Sequence, residues 1–491
     1  MMMRHSSRSR IIPDLHPPEV TTASDRVPAP GEVRANGRRP RVVIVGAGFG
    51  GLQAAKALDG APVEVIVVDR QNHHLFQPLL YQVATATLSP ADIAWPIRAI
   101  LRRQANATVL MAEVDGVDTA RRELRAGTVR IPYDHLILAT GATHSYFGHD
   151  DWAGAAPGLK RIEDATTIRR RILLAFERAE MARSDDARRR LLTFVVVGGG
   201  PTGVEMAGAI VEIARKVLPP DFRLVDPRAA RIVLVEAGPR ILPAFPEDLS
   251  DYARRSLEGM GVEVATGARV TACDADGVSV ALAEGVTPAA GSAIEGGRIP
   301  ASTIIWGAGV VASPAGSWVE APRDRAGRIQ VGPDLSVPGH PDIFAIGDTA
   351  TITGPEGRPV PGIAPAAKQM GDYVARVIRA RATGSAAPGP FAYRHEGDLA
   401  TVGRRSAVVK RGGLKLTGFT GWAFWGIAHV YFLVGLRYRI AVAFKWLWDY
   451  LTLQRGARLI TGTEEDGPVG QAPVDQAVVP SAAEAKEAGR G

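Results

Sequence analysis

Residues 42–51, VVIVGAGFGG, run four apolar, mostly β-branched residues straight into a glycine-rich turn, and LQAAKAL at 52–58 follows with the composition of a helix. Strand, Gly46-x-Gly48-x-x-Gly51 turn and helix together make the cradle that receives a dinucleotide pyrophosphate. Gly46 permits the tight turn, Gly48 lets phosphates approach the backbone, and Gly51 lets the helix rest on the strand. The helix N-terminus adds free N–H groups and the positive end of its dipole. The next strand, Val63–Val68, ends in Asp69, 23 residues after Gly46. That is close to the ~20-residue spacing at which a carboxylate grips a ribose hydroxyl. A parallel, doubly wound α/β sheet is the fold this stretch predicts.

The pattern recurs. Leu192–Val197 is apolar, Gly198, Gly200 and Gly203 form the turn, and VEMAGAIVEIARKVL follows as a helix. The strand Ile232–Val235 then ends in Glu236, 38 residues after Gly198, because PPDFRLVDPRAA intervenes. A carboxylate there accepts hydrogen bonds from a 2′-hydroxyl and repels a 2′-phosphate, which favours NADH over NADPH. Two cradles imply two dinucleotides. Tyr133–Gly141, Thr303–Gly309 and Ile343–Asp348 read as further buried strands, the last placing Asp348 at the strand end where open α/β sheets bind ligands. Asp276-Gly277 reads as a hairpin turn.

The 491 residues exceed one ordinary core of roughly 150 residues. The single cysteine, Cys273, excludes an intramolecular disulfide, a CxxC redox pair and cysteine-ligated metal centres, so electron chemistry falls to a bound organic cofactor. The net charge of +7 is concentrated in residues 1–41 (+4) and 419–458 (+4), the tail 461–491 carries −4, and 42–418 keep only +3. No basic groove suited to nucleic acid is implied. Residues 1–40 and 461–491 have the composition of disordered extensions.

No uncharged apolar run reaches the ~18–20 residues of a spanning helix. Yet 419–450 hold eleven of the thirty aromatic residues, interrupted by Arg437, Arg439, Lys445 and Asp449. Two short helices with Trp and Tyr at their margins and flanking arginines read as a foot lying in a lipid headgroup zone. A buried interface between subunits is the alternative, since such interfaces also favour aromatics and arginine.

Taken in order, GAGFGG (46–51), YDHLILATGA (133–142), GGGPTGVEMAG (198–208) and IFAIGD (343–348) resemble the flavin-dependent pyridine nucleotide–disulfide reductase superfamily. The segments 72–98 and 418–462 are similar to those of type II NADH dehydrogenases, the single-subunit NADH:quinone oxidoreductases. The resemblance implies FAD in the first cradle and NADH in a second, inserted one. The chain then divides into an FAD-binding domain at 41–158 and 303–385, an NADH-binding domain at 159–302, and a membrane-associating C-terminal domain at 386–460. It implies hydride transfer from NADH to flavin and two electrons passed on to ubiquinone or menaquinone, without proton pumping. It also implies a homodimer lying peripherally on the cytoplasmic face of the inner or plasma membrane.

Residue by residue, the resemblance assigns Gly46, Gly48, Gly51 and Asp69 to the FAD pyrophosphate and ribose, Val114 to its adenine, and Asp348 to its ribityl or pyrophosphate end. Gly198, Gly200, Gly203 and Glu236 fall to NADH. Glu205 matches a glutamate near nicotinamide and flavin, although an acid near a helix start also compensates the dipole. Gln369 closes the family's quinone-side motif and is assigned to a quinone carbonyl or flavin edge; Pro365 replaces that motif's first glutamine. Glu396 stands where some members carry lysine and takes no role, and His73 and His74 read as surface or core histidines. Two other readings remain: a soluble flavin reductase with 419–455 as a dimer interface, and a non-catalytic NADH sensor.

Overall fold

The computed structural model describes residues 38–354, 357–433, 435–452 and 456–461, so the extensions expected at 1–40 and 461–491 lie almost wholly outside the described residues. The chain opens with β1 (Arg41–Val45), α1 (Phe49–Ala57), β2 (Glu64–Asp69), β3 (Ala107–Met111) and β4 (His135–Leu138). These strands pair in parallel, with β1 flanked by β2 and β4 and with β3 outside β2. Val42, Val43, Ile44 and Val45 are all buried. This explains the uninterrupted apolar run, because a parallel sheet is covered on both faces.

A second parallel sheet follows. It contains β5 (Thr193–Val197), β6 (Arg231–Glu236), β7 (Val262–Thr266) and β8 (Thr303–Trp306), in the order β7-β6-β5-β8, with α2 (Pro201–Glu212) after β5. The hairpin expected at Asp276-Gly277 is present one residue earlier: Ala275 and Asp276 form the turn, and Gly277 begins the return strand opposite Asp274, in the antiparallel pair Ala268–Asp274 with Gly277–Leu282. The chain then returns to the first sheet: β9 (His340–Ala345) pairs in parallel with β4. In each sheet the strand carrying the glycine turn sits centrally, with later strands running off to either side. That reversal of strand order opens a crevice at the C-terminal ends of the strands.

Helix α3 (Ala364–Thr383) packs across α1. A three-stranded antiparallel sheet follows, β10 (Asp398–Gly403), β11 (Ser406–Arg411) and β12 (Leu414–Leu416), and the described chain closes with helices α4 (Gly418–Phe432) and α5 (Leu436–Thr452). Trp425, Leu433 and Val442 anchor this helix pair in one apolar cluster with Phe76, Leu80 and Ala207. Full burial of such side chains stabilises by about 1.5–3 kcal/mol each. No described helix is long and apolar enough to cross a membrane.

Candidate active site

The two cradles have one design. Gly46 and Gly198 sit at φ +96° and +106°, where a side chain would be strained. A Cβ at Gly51 would stand 1.9 Å from the Gly46 carbonyl oxygen, and one at Gly203 would stand 1.8 Å from that of Gly198. At Gly48 and Gly200, by contrast, a Cβ would meet nothing within 4 Å, so the backbone there faces open space.

The acids at the strand ends repeat the symmetry. Asp69 accepts hydrogen bonds from the backbone N–H of Ala47 (2.6 Å) and of Gln71 (2.7 Å). Glu236 accepts them from Gly199 (2.5 Å) and Gly238 (2.6 Å). Each carboxylate thus clamps the second residue of its glycine turn. Burial pushes Asp69 above the usual carboxylate range, partly offset by its two N–H partners. Behind the first cradle, the Nδ1 of buried His74 lies 2.8 Å from the Ala47 carbonyl, and burial lowers its pKa to about 4. The ring is therefore neutral and braces the turn by donating from Nδ1.

The first cradle opens into a cavity of about 730 Å³, inside the ~300–1,000 Å³ range of ligand sites. Gly46, Gly48, Asp69 and Asp348 line it, Pro201, Thr202 and Glu205 enter from the start of α2, and Lys368, His429 and Phe432 close its far side. A second, largely apolar cavity of about 870 Å³ lies between α2 and the C-terminal helix pair, with Tyr81, Trp422, Trp425 and Ile440 among its walls. Among the described residues, Glu205 alone lines both.

Gly208 makes this placement possible: a Cβ there would come within 1.9 Å of the Val402 carbonyl oxygen, so only glycine lets α2 rest on β10. That contact brings the Thr401 N–H to 3.3 Å from the Glu205 carboxylate. A little of the Glu205 side chain reaches the cavity surface, but dense packing strips water from the carboxyl and pushes it up to about 8. From Thr401 a buried polar chain runs outward. Its hydroxyl lies 3.0 Å from the Tyr81 hydroxyl, Gln82 Nε2 donates to Tyr81 at 3.1 Å, and Trp446 Nε1 on α5 donates to Gln82 at 2.8 Å.

A profile described as pyridine nucleotide-disulphide oxidoreductase matches residues 40–371. The type II NADH:quinone oxidoreductase Ndh of Mycobacterium tuberculosis is 45% identical over 436 residues, covering 86% of this chain and 91% of its own. The chain belongs to the type II NADH:quinone oxidoreductase family. The mitochondrial internal alternative NAD(P)H-ubiquinone oxidoreductase A1 of Arabidopsis thaliana is 31% identical across 84% of this chain and 85% of its own. NDH2 from Plasmodium falciparum, solved in complex with NADH, shares the fold at a TM-score of 0.77 and 20% identity, over 87% of this chain and 100% of the other.

Within this type II family member the residues named from sequence fall in three groups. Both glycine turns, Asp69 and Glu236 occupy the cradles, and Asp348, half-buried beside Gly362, lines the first cavity with Glu205. Val114 lies in the loop after β3, half-buried against the first sheet. Gln369 does not line the first cavity. Its amide donates to the Arg394 carbonyl and accepts from the Arg394 N–H, both at 2.9 Å, in the loop after α3. The cavity position belongs instead to its neighbour Lys368. Sequence reading missed Lys368, Tyr81, Thr401 and His429. Only Lys368 left a local signal, the cation in the motif AAKQ at 366–369.

Proposed function

We propose that the chain is an FAD-dependent NADH:quinone oxidoreductase that works as a peripheral homodimer on the cytoplasmic face of the inner or plasma membrane, without pumping protons. The observation that carries this reading is the pair of matched glycine cradles, with the first opening into a cavity that the start of α2 enters from the second and that His429 and Phe432 of aromatic α4 close at its far side. The first cradle fits FAD: the positive φ that glycine allows at Gly46, the open backbone at Gly48 and the clamp from Asp69 match the needs of a pyrophosphate and a ribose. Gly46, Gly48, Gly51 and Asp69 would hold that end, Val114 the adenine and Asp348 the opposite end. Gly198, Gly200, Gly203 and Glu236 would hold NADH. Bound FAD supplies the chemistry of accepting a hydride and delivering two electrons to a quinone.

The protein orients the partners and manages protons. Glu205 keeps its carboxyl proton at neutral pH, so it can donate a hydrogen bond, or the proton itself, toward either cavity. Lining both cavities, it stands where a proton is needed when a quinone becomes a quinol. Gln369 supports the site by fixing the loop at Arg394. Ile427, Tyr431, Ile440, Phe444 and Leu451 expose half or more of their surface on α4 and α5, a patch suited to the headgroup zone of a bilayer.

The test is NADH oxidation by lipid-reconstituted protein with ubiquinone and menaquinone analogues compared. Turnover with at least one supports the reading, and failure with both in a preparation that retains FAD removes the quinone assignment. Activity found wholly in the detergent-free soluble fraction would remove the membrane assignment and leave 419–455 as a subunit interface.

A further inference from the structure

Lys368 occupies the first cavity without an anionic partner. It projects from α3, which crosses α1 so closely that a Cβ at Gly371 would stand 2.4 Å from the Gly50 carbonyl oxygen. This crossing sets the Lys368 Nζ 5.6 Å from the Phe49 ring centroid at the start of α1 and 4.9 Å from that of Phe432 at the end of α4. No hydrogen bond or ion pair of its ammonium is found among the described residues. Burial holds the group below the usual lysine range. The charges of Lys56 on α1 and Arg439 on α5 push the same way, opposed by Glu396 beyond α3 and Asp372 on α3 itself. A half-buried cation beside two aromatic rings and without a direct ion pair is costly to desolvate unless the cavity's occupant is electron-rich.

We propose that Lys368 tunes the bound FAD, its ammonium offsetting the negative charge that two-electron reduction leaves on the isoalloxazine ring and so raising the reduction potential. Hydride transfer from NADH delivers two electrons and one proton: NADH is oxidised to NAD⁺, and the ring takes up one net negative charge. A fixed cation in a water-poor cavity favours that form over the neutral oxidised ring. The inference rests on the FAD assignment above.

The experiment is a spectroelectrochemical titration of the flavin absorbance in the FAD-loaded protein, comparing wild type with Lys368→Met and Lys368→Arg. Lys368→Met should weaken the preference for reduced over oxidised FAD about tenfold, ~30 mV lower for a two-electron couple. Lys368→Arg, which keeps the charge, should stay within about threefold of wild type. A lysine that merely ties α1 to α4 through its ring contacts would change thermal stability and leave the potential alone. Equal potentials in wild type and Lys368→Met, at equal FAD content, overturn the proposal. Loss of FAD from Lys368→Met but not from Lys368→Arg overturns it as well, making the lysine a binding residue. A wild-type protein that purifies colourless and takes up no FAD fails the underlying assignment, a result distinct from either.

Discussion

Glu236→Gln tests the second cradle most directly, because both oxygens of Glu236 are committed. One accepts from the Gly199 N–H at 2.5 Å and the other from the Gly238 N–H at 2.6 Å. Glutamine keeps the shape but offers one acceptor and one donor. One bond is lost to an N–H facing an NH₂, and the other loses its charge assistance. Hydrogen bonds to a charged acceptor contribute about 1.5–3 kcal/mol each. The turn should therefore loosen by ~2–3 kcal/mol, which raises the KM for NADH roughly 30- to 150-fold.

Discrimination against NADPH should relax at the same time. A 2′-phosphate of about two charges placed ~6 Å from a carboxylate in a water-like dielectric is repelled by ~1.4 kcal/mol. The ratio of kcat/KM for NADH to that for NADPH should accordingly fall about tenfold. Steady-state rates with both nucleotides, a short-chain quinone and FAD-replete protein measure it. FAD content should be unchanged, since Glu236 belongs to the other sheet. A raised KM for NADH with an unaltered ratio would refute the ribose contact and leave Glu236 as a clamp on Gly199 alone.

Gly203→Ala should abolish NADH binding while FAD is retained, and Gly51→Ala should do the reverse, because the new Cβ would meet a carbonyl oxygen at 1.8 and 1.9 Å respectively; flavin absorbance and NADH titration by fluorescence separate the two. Glu205 has its pKa raised from 4.5 to about 8 by folding, so its stabilising contribution is complete below about 4.5 and lost as pH rises through about 8. Glu205→Gln should flatten the fall of Tm across that window, and Tm–pH curves parallel to wild type would contradict the buried protonated carboxyl. Ile427→Glu combined with Leu451→Glu, at positions 73% and 70% exposed, should cut binding to anionic liposomes at least ~150-fold, the two apolar side chains together contributing ~3 kcal/mol or more; unchanged co-sedimentation would sink the membrane foot.

Most of the two sheets was legible because their rules are local. A run such as Val42–Val45 can only be a strand buried on both faces, and the spacing of Gly46, Gly48 and Gly51 follows from how closely a helix, a strand and a phosphate must meet. The acids ending β2 and β6 were readable for the same reason, although their grip on the glycine turns was not. What escaped depends on packing between distant segments. Tyr81 meets Thr401 across 320 residues, and no local pattern announces that contact. Glu205 read as an acid near a helix start, yet its chemistry comes from Gly208 letting α2 press onto β10 and seal the carboxyl. Lys368 reaches the cavity and Gln369 the loop at Arg394 because adjacent helix positions point about 100° apart, a difference that the motif alone does not reveal.

The return of β9 to β4 has a consequence for how the chain is made. The two paired strands are about 200 residues apart in sequence, so at ~5–20 residues per second the ribosome needs roughly 10–40 s between them. All four strands of the second sheet emerge in that interval and can close on themselves, while β4 waits with one edge unpaired. A nascent polypeptide in that state offers an open β-edge to its neighbours. Chaperone dependence and aggregation during synthesis should peak when translation has passed Trp306 but not yet Ala345, and subside once that closing strand clears the exit tunnel.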